Sequence, residues 1–342
     1  MQPTSSTLLA DAEWLAHRFV ESDDAFRFVH VPRADHAAVP FLTDDHLGER
    51  LTSPDVPTAE CLGSLNKGKL HFLFHSAFCG STMLVRALDR PGLAMGLSEP
   101  IALNDIVGFR RRGASPAAVA RGADAALRLL ARPFGSGESV VVKPSNILNP
   151  LAELLLALQP DAKAVFLYAA LETFLISVVR KGLPCRLWVR ELLEGFLQEG
   201  YVDLGISPED CFRLTDLQVA AVGWLAQHVR FAALAEKLGP TRIATLDADR
   251  MTADPVAALI AVTRHYGFDC DAAAIAEMAS GPAFTRHSKS GAAFTPADRK
   301  AEYAQARAAY GDEIDLVLEW ARRVAGTVGV ALDVPFPLLQ ES

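Results

Sequence analysis

The sequence predicts a three-layer α/β fold in which helices cover both faces of a central parallel sheet. Two observations carry that expectation. Short, continuously apolar segments recur from residue 69 onward, and strands buried on both faces read in this way. Segments with the apolar spacing of helices separate them, an alternation that belongs to parallel sheets. The chain is expected to divide into an N-terminal extension of unassigned role, residues 1–66, and an α/β domain, residues 67–342.

The extension carries scattered prolines and acidic pairs, a helical pattern near residues 8–20 and the strand-like FRFVHV at 26–31. The α/β pattern opens with the strand LHFLF at 70–74 and an apolar-periodic segment at 81–90. It continues with the strand VVVK at 140–143, a helical run at 148–158, the strand AVFLY at 164–168 and a helix at 171–181. Helical patterns at 187–199 and 215–238 precede the strand RIATL at 242–246 and a helix at 255–267. That last helix begins at Asp254-Pro255, where an aspartate caps the helix and proline takes its first position. Trp188 and Trp224 fall on helical patterns and are expected in the core.

Composition narrows the function classes. Half of the 342 residues are apolar and 22% are charged, which excludes a disordered or collagenous chain. The net charge of −8 argues against nonspecific binding to nucleic acid or to an anionic membrane, so an anionic ligand would need a local basic cluster. Cys61, Cys79, Cys185, Cys211 and Cys270 are odd in number and never spaced C-x-x-C. That spacing speaks against a disulfide framework or a structural zinc site, and a cytoplasmic setting is expected. No export signal is visible in MQPTSSTLLADAEWL. The longest apolar stretch, 164–179, is interrupted by Glu172 and is short for a membrane span.

The segment HFLFHSAFCGSTMLVRALD runs from a buried strand through small polar residues into a helix. That order has phosphate-loop geometry. Gly80 allows close backbone approach, the N–H groups of the first helical turn point at an anion, and Ser81 and Thr82 add hydroxyl donors. A nucleoside-triphosphate loop would read G-x-x-x-x-G-K-[ST]. Here His75 takes the first glycine position and Ser81 the lysine position.

On five segments the chain resembles the sulfotransferase family, over roughly residues 69–300, the last being FTRHSKSGAAFTPADRKAEY at 284–303, which looks like the family's late Arg-Lys-Gly loop followed by Phe-Thr and a terminal helix. Ala77-Phe78-Cys79-Gly80-Ser81-Thr82 looks like the family's P-[KR]-S-G-T-T loop, with Phe78 where Lys or Arg is usual. VVVKPSN at 140–146 resembles its strand ending in Lys-Thr-His, matching Lys143 but placing Pro144 and Ser145 at the Thr and His positions. DAKAVFLYAALETFLISVVRKG at 161–182 resembles the segment that grips the donor's 3′-phosphate. Ser177 matches its serine and Ala169 replaces its arginine. RIATLDADRMTADPVAALIAVTRHYGF at 242–268 resembles the later strand with its Asp-Pro helix start.

The resemblance implies a phosphate-loop-type, nucleoside-triphosphatase-like α/β fold. The activity it implies is transfer of a sulfuryl group from 3′-phosphoadenosine 5′-phosphosulfate to a hydroxyl or amine on a small molecule, glycan or peptide, with no metal. Phe78, Cys79, Gly80, Ser81, Thr82 and Met83 would cradle the donor's 5′ group. Lys143 would stabilise the bridging oxygen, and His75 and Glu99 compete for the general-base role. Glu99 sits in LSEP, which resembles the Glu-Pro after the family's second strand. Ser177, Arg180, Arg286 and Lys289 would hold the 3′-phosphate, with Lys181 beside them. Arg86 faces either donor or solvent. Arg110 to Arg112 meet an acidic acceptor or form a solvated face.

Two other readings stay open. A Mg²⁺-dependent nucleotide phosphotransferase would use the same loop with Asp247 and Asp249. An inactive descendant would keep the fold as a nucleotide-binding or interaction module, and the replacements at Phe78, Ser145 and Ala169 are of the kind such decay produces. Thiol catalysis by Cys79 at the helix start lacks a companion Cys/His/Asn pattern.

Overall fold

The computed structural model describes residues 3–286 and 296–340. The strands are β1 (Trp14–Val20), β2 (Ala25–His30), β3 (Val56–Pro57), β4 (Leu70–His75), β5 (Ala94–Ser98), β6 (Ser139–Lys143), β7 (Ala164–Tyr168) and β8 (Ile243–Asp247). The helices that bear on the site are α1 (Ser81–Leu88), α2 (Ile101–Arg111), α3 (Pro116–Leu130) and α4 (Ala152–Leu158). They continue with α5 (Leu171–Arg180), α6 (Leu183–Gln198), α7 (Asp216–Leu238), α8 (Pro255–Tyr266), α9 (Ala272–Ser280) and α10 (Pro296–Thr327).

Strands β4 to β8 form one sheet in the order β5-β6-β4-β7-β8, every neighbouring pair parallel. All residues of β4 and β6 are buried, as expected of strands covered on both faces. The period of two sorts their side chains between two cores. Leu73, Val141, Val165 and Leu167 face one core, packed by α1, α5, α6 and α8. Leu70, Phe72, Phe74, Val140, Val142 and Phe166 face the other, packed by α2, α3 and α4. The long α7 serves both, with Leu217 and Trp224 in the first core and Phe231 and Leu234 in the second. Phe231 stacks on Phe166 with ring centroids 4.1 Å apart.

Residues 3–66 contribute to the second core. Strands β1, β2 and β3 form an antiparallel sheet whose Phe19, Phe26 and Phe28 pack in the same cluster as β4 and α3. The half-buried Arg132 guanidinium ties this region to the end of α3 by donating to the carbonyls of Leu8, Asp11 and Trp14. Leu42 N–H donates to Ser98 O at 2.8 Å and Leu42 O accepts from Ile101 N–H at 3.2 Å. These bonds set the neighbouring Phe41 at the end of β5.

Two local expectations change. The pattern at 8–20 is not one helix: a short helix, Ser5–Ala10, ends before β1. The residues of β1 are extended because β2 supplies their ladder, a long-range choice that outweighs local propensity. The run at 148–158 opens as a 3-10 turn, Asn146–Leu151, with Pro150 inside it, and becomes α4 only at Ala152. Proline lacks the N–H that an α-helix interior would use. Among the described residues, no helix is long and apolar enough to cross a membrane.

Candidate functional site

The chain passes from β4 to β5 and β6 on one side, then crosses to β7 and β8 on the other. Loops leaving the carboxyl ends of strands at such a reversal diverge and open a crevice. The loop after β4 is held in an unusual backbone. Ala77, Phe78 and Gly80 have φ of 72°, 53° and 78°, a region that costs residues with a Cβ about 1–2 kcal/mol each. Such strain persists where the surroundings over-determine it.

Here a buried polar network does so. His75 Nδ1 accepts from Ala77 N–H at 3.1 Å, which leaves Nε2 as the protonated nitrogen that donates to Pro144 O at 3.0 Å. Asn149 Nδ2 donates to His75 O at 3.1 Å and to Gln227 Oε1 at 2.8 Å, and Gln227 Nε2 donates to Gly223 O at 3.0 Å. Ser76 N–H donates to Leu167 O at 3.2 Å. The loop then turns into α1, whose start has no side-chain cap, and first-turn N–H groups of a helix without one favour an anion.

A cavity of about 530 Å³ lies over this loop. His75, Phe78, Gly80, Ser81, Thr82, Met83, Glu99, Lys143, Ser177, Arg180 and Arg286 all line it. Cys79 does not. Its side chain is fully buried in the core below, and burial pushes the thiol up to about 11, so it is a protonated core residue and no nucleophile. Lys289 lies outside the described residues.

At one wall, Lys143 is 1% exposed and pairs with Glu99, with its Nζ 4.9 Å from the centre of the Phe41 ring. Ser98 and Lys143 are register partners of β5 and β6, and Glu99 N–H donates to Lys143 O at 2.7 Å. The turn that delivers Glu99 is itself left-handed, with φ of 51°. A buried ammonium needs such a partner, because an unpaired one is strongly destabilising. Asn146 stands in the same wall, 3% exposed, and its Nδ2 has no hydrogen-bond partner among the described residues. A buried donor left without a partner in a polar cavity fits an acceptor on a ligand.

The opposite wall comes from α5, α6 and α10. Ser177 Oγ donates to Thr173 O at 3.0 Å and lies 3.2 Å from the Tyr303 hydroxyl. Arg180 pairs with Glu302 and lies over the Tyr303 ring, 5.9 Å from its centre. Lys143, Arg180, Lys181 and Arg286 are the Lys and Arg residues lining the cavity among the described residues, and Glu99 is its only carboxylate there. In a chain of net charge −8, that is a local basic cluster.

Several residues take other places than the sequence suggested. Trp188, expected in the core, lines the cavity, 5.4 Å from the Phe78 ring. Trp224, expected in the core, is buried there and its indole N–H donates to Ala169 O at 2.9 Å. Arg110 and Arg111 pair with Glu199 at the end of α6, joining two helices, whereas Arg112 makes an exposed pair with Glu21 of the β1–β2 turn. Arg86 donates to Ala38 O at 3.3 Å. Asp247 caps the short helix Ala248–Ala253, and Asp249 accepts from the Thr173 hydroxyl at 2.9 Å. Phe41, Asn146 and Tyr303 were not anticipated. Phe41 lies far from every loop motif in sequence, whereas Tyr303 ends the segment FTRHSKSGAAFTPADRKAEY and Asn146 directly follows VVVKPS, so both were within reach of inspection.

No protein-family model matches the sequence, and no curated protein matches it. Solved structures similar to this chain include the sulfotransferase STF9 from Mycobacterium avium, 11% identical with a TM-score of 0.43 over 73% of this chain and 79% of that one. The sulfotransferase domain from the curacin biosynthetic pathway is 13% identical with a TM-score of 0.42 over 80% of this chain and 100% of that one. Mouse sulfotransferase SULT7A1, solved in complex with PAP, is 14% identical with a TM-score of 0.35 over 78% of this chain and 94% of that one. These solved structures are sulfotransferases of bacterial and mammalian origin.

Proposed function

We propose that the protein is a sulfotransferase that moves a sulfuryl group from 3′-phosphoadenosine 5′-phosphosulfate to a hydroxyl or amine of a small molecule, glycan or peptide. The observation that carries this reading is the buried Lys143–Glu99 pair, which shares one cavity with the uncapped start of α1. Transfer of this kind relies on in-line positioning and on donors or cations aimed at the transferring and leaving oxygens. The residues present fit a donor that carries anions at both ends. The α1 N–H groups, the Ser81 and Thr82 hydroxyls and Asn146 Nδ2 would hold the 5′ group. Ser177, Arg180 and Arg286 would hold the 3′-phosphate.

In the proposed step the acceptor oxygen or nitrogen forms a bond to sulfur as the bond from sulfur to the bridging oxygen breaks. 3′,5′-adenosine bisphosphate departs with the electron pair. Lys143 stabilises the charge on that oxygen, and Glu99 takes the acceptor's proton. His75 is given the positioning role, since acting as a base would require Nδ1 to release the Ala77 N–H that shapes the loop.

The test is calorimetric titration of the full chain with 3′,5′-adenosine bisphosphate, beside ATP with and without Mg²⁺. Metal-independent binding of the bisphosphate, tighter than that of ATP, is expected. Metal-dependent preference for ATP overturns the reading in favour of phosphotransfer, and no binding of either points to an inactive scaffold.

A further inference from the structure

Phe78 and Lys181 make a contact that joins two sides of the cavity. The half-buried Phe78 ring stands between Phe174, at 5.6 Å between ring centres, and the edge-on Trp188. Lys181, the C-cap residue of α5, has its Nζ 5.2 Å from the centre of that ring, and both residues line the cavity. An exposed lysine stem loses rotamer freedom when held in one place. The ring face offsets part of that loss by cation–π attraction. The ring itself is braced by two aromatic neighbours, so it is a firm platform. It belongs to the same loop that ends at the uncapped start of α1, and the buried Asn146, whose Nδ2 lacks a partner among the described residues, lines the same cavity.

We infer that Phe78 positions Lys181 as the cation for the anionic group seated on the α1 start. On this view Lys181 does not serve the group proposed for Ser177 and Arg180, although it is adjacent to Arg180 in sequence. A loop residue without charge thereby presents a charge borrowed from α5. The inference rests on the proposed donor site and adds a residue and a direction to it. It concerns binding of the anion, and Phe78 acts through Lys181 as a positioning residue.

The experiment compares the intact protein with Lys181→Met, Lys181→Arg, Phe78→Ala and the double variant Phe78→Lys/Lys181→Met. Each is titrated with 3′,5′-adenosine bisphosphate and with adenosine 5′-monophosphate, which lacks the 3′ group. Loss of one charge-assisted hydrogen bond is expected to weaken both nucleotides by about ten-fold in Lys181→Met. Phe78→Ala is expected to lose about three-fold, and Lys181→Arg to keep most of the affinity. The double variant, which returns a cation to the loop itself, is expected to recover much of the loss. Two results overturn the inference while leaving the donor site standing. One is a loss confined to the bisphosphate, which would assign Lys181 to the 3′-phosphate. The other is unchanged affinity in Lys181→Met. If the unaltered protein binds neither nucleotide, the donor site falls and this inference falls with it.

Discussion

Lys143 is the clearest case of a residue whose place in the structure sets its chemistry. An ammonium at 1% exposure stays charged in a protein interior only beside an opposite charge, and Glu99 supplies one. The Asn149–His75 hydrogen bond and the His75–Ala77 contact freeze the loop facing that pair. On the proposed mechanism, Lys143→Met lowers turnover by about 10²–10³ while the dissociation constant of 3′,5′-adenosine bisphosphate moves by no more than about three-fold. Steady-state kinetics with an accepted hydroxyl, run beside calorimetry, checks this. Parallel losses in turnover and affinity would make Lys143 a binding residue only. Lys143 was legible in the sequence because it ends an apolar strand, and strand ends gather sites in α/β proteins. Phe41 was not, because its position depends on the Leu42 backbone bonds to Ser98 and Ile101.

The elements around the loop pack closely enough to restrict single side chains. A Cβ on Gly96 of β5 would lie 2.8 Å from Val85 O and 3.0 Å from the Asp89 Cβ, both on the α1 side. Backbone cannot yield as a side-chain tip can. Gly96→Ala is therefore expected to cost about 1–3 kcal/mol, read as a lower urea midpoint with an unchanged slope. A midpoint equal to that of the unaltered protein would mean that α1 can lift off β5 freely. At this scale the sequence was readable wherever a strand was continuously apolar, as in VVVK and AVFLY. It was misleading where pairing at long range decided the state, as in β1, and where Pro150 delayed a helix.

The whole molecule keeps several histidines buried and neutral. Burial lowers His36, His71 and His265 to about 4 and His228 to about 3, from an ordinary value of 6.5. Between those values the unfolded chain binds protons that the folded chain refuses, so the stability they confer is full above pH 6.5 and is lost as pH falls toward 4. Each such proton contributes a slope of at most about 1.4 kcal/mol per pH unit. Urea unfolding at pH 7 and pH 5 is expected to show a clear fall in stability, with proton uptake on unfolding. Equal stability at the two values would mean that these rings are charged or solvated in the native state. The sequence by itself determined the parallel α/β architecture and the strand ends where anion chemistry can sit. Apolar periodicity and the composition of a turn are local properties, so a single chain displays them. Only the tertiary structure decided that Glu99 neutralises Lys143, that Phe41 and Tyr303 reach the cavity and that Lys181 lies over Phe78. Those contacts join residues from separate elements, and no local pattern encodes the distance between side chains that only folding brings together.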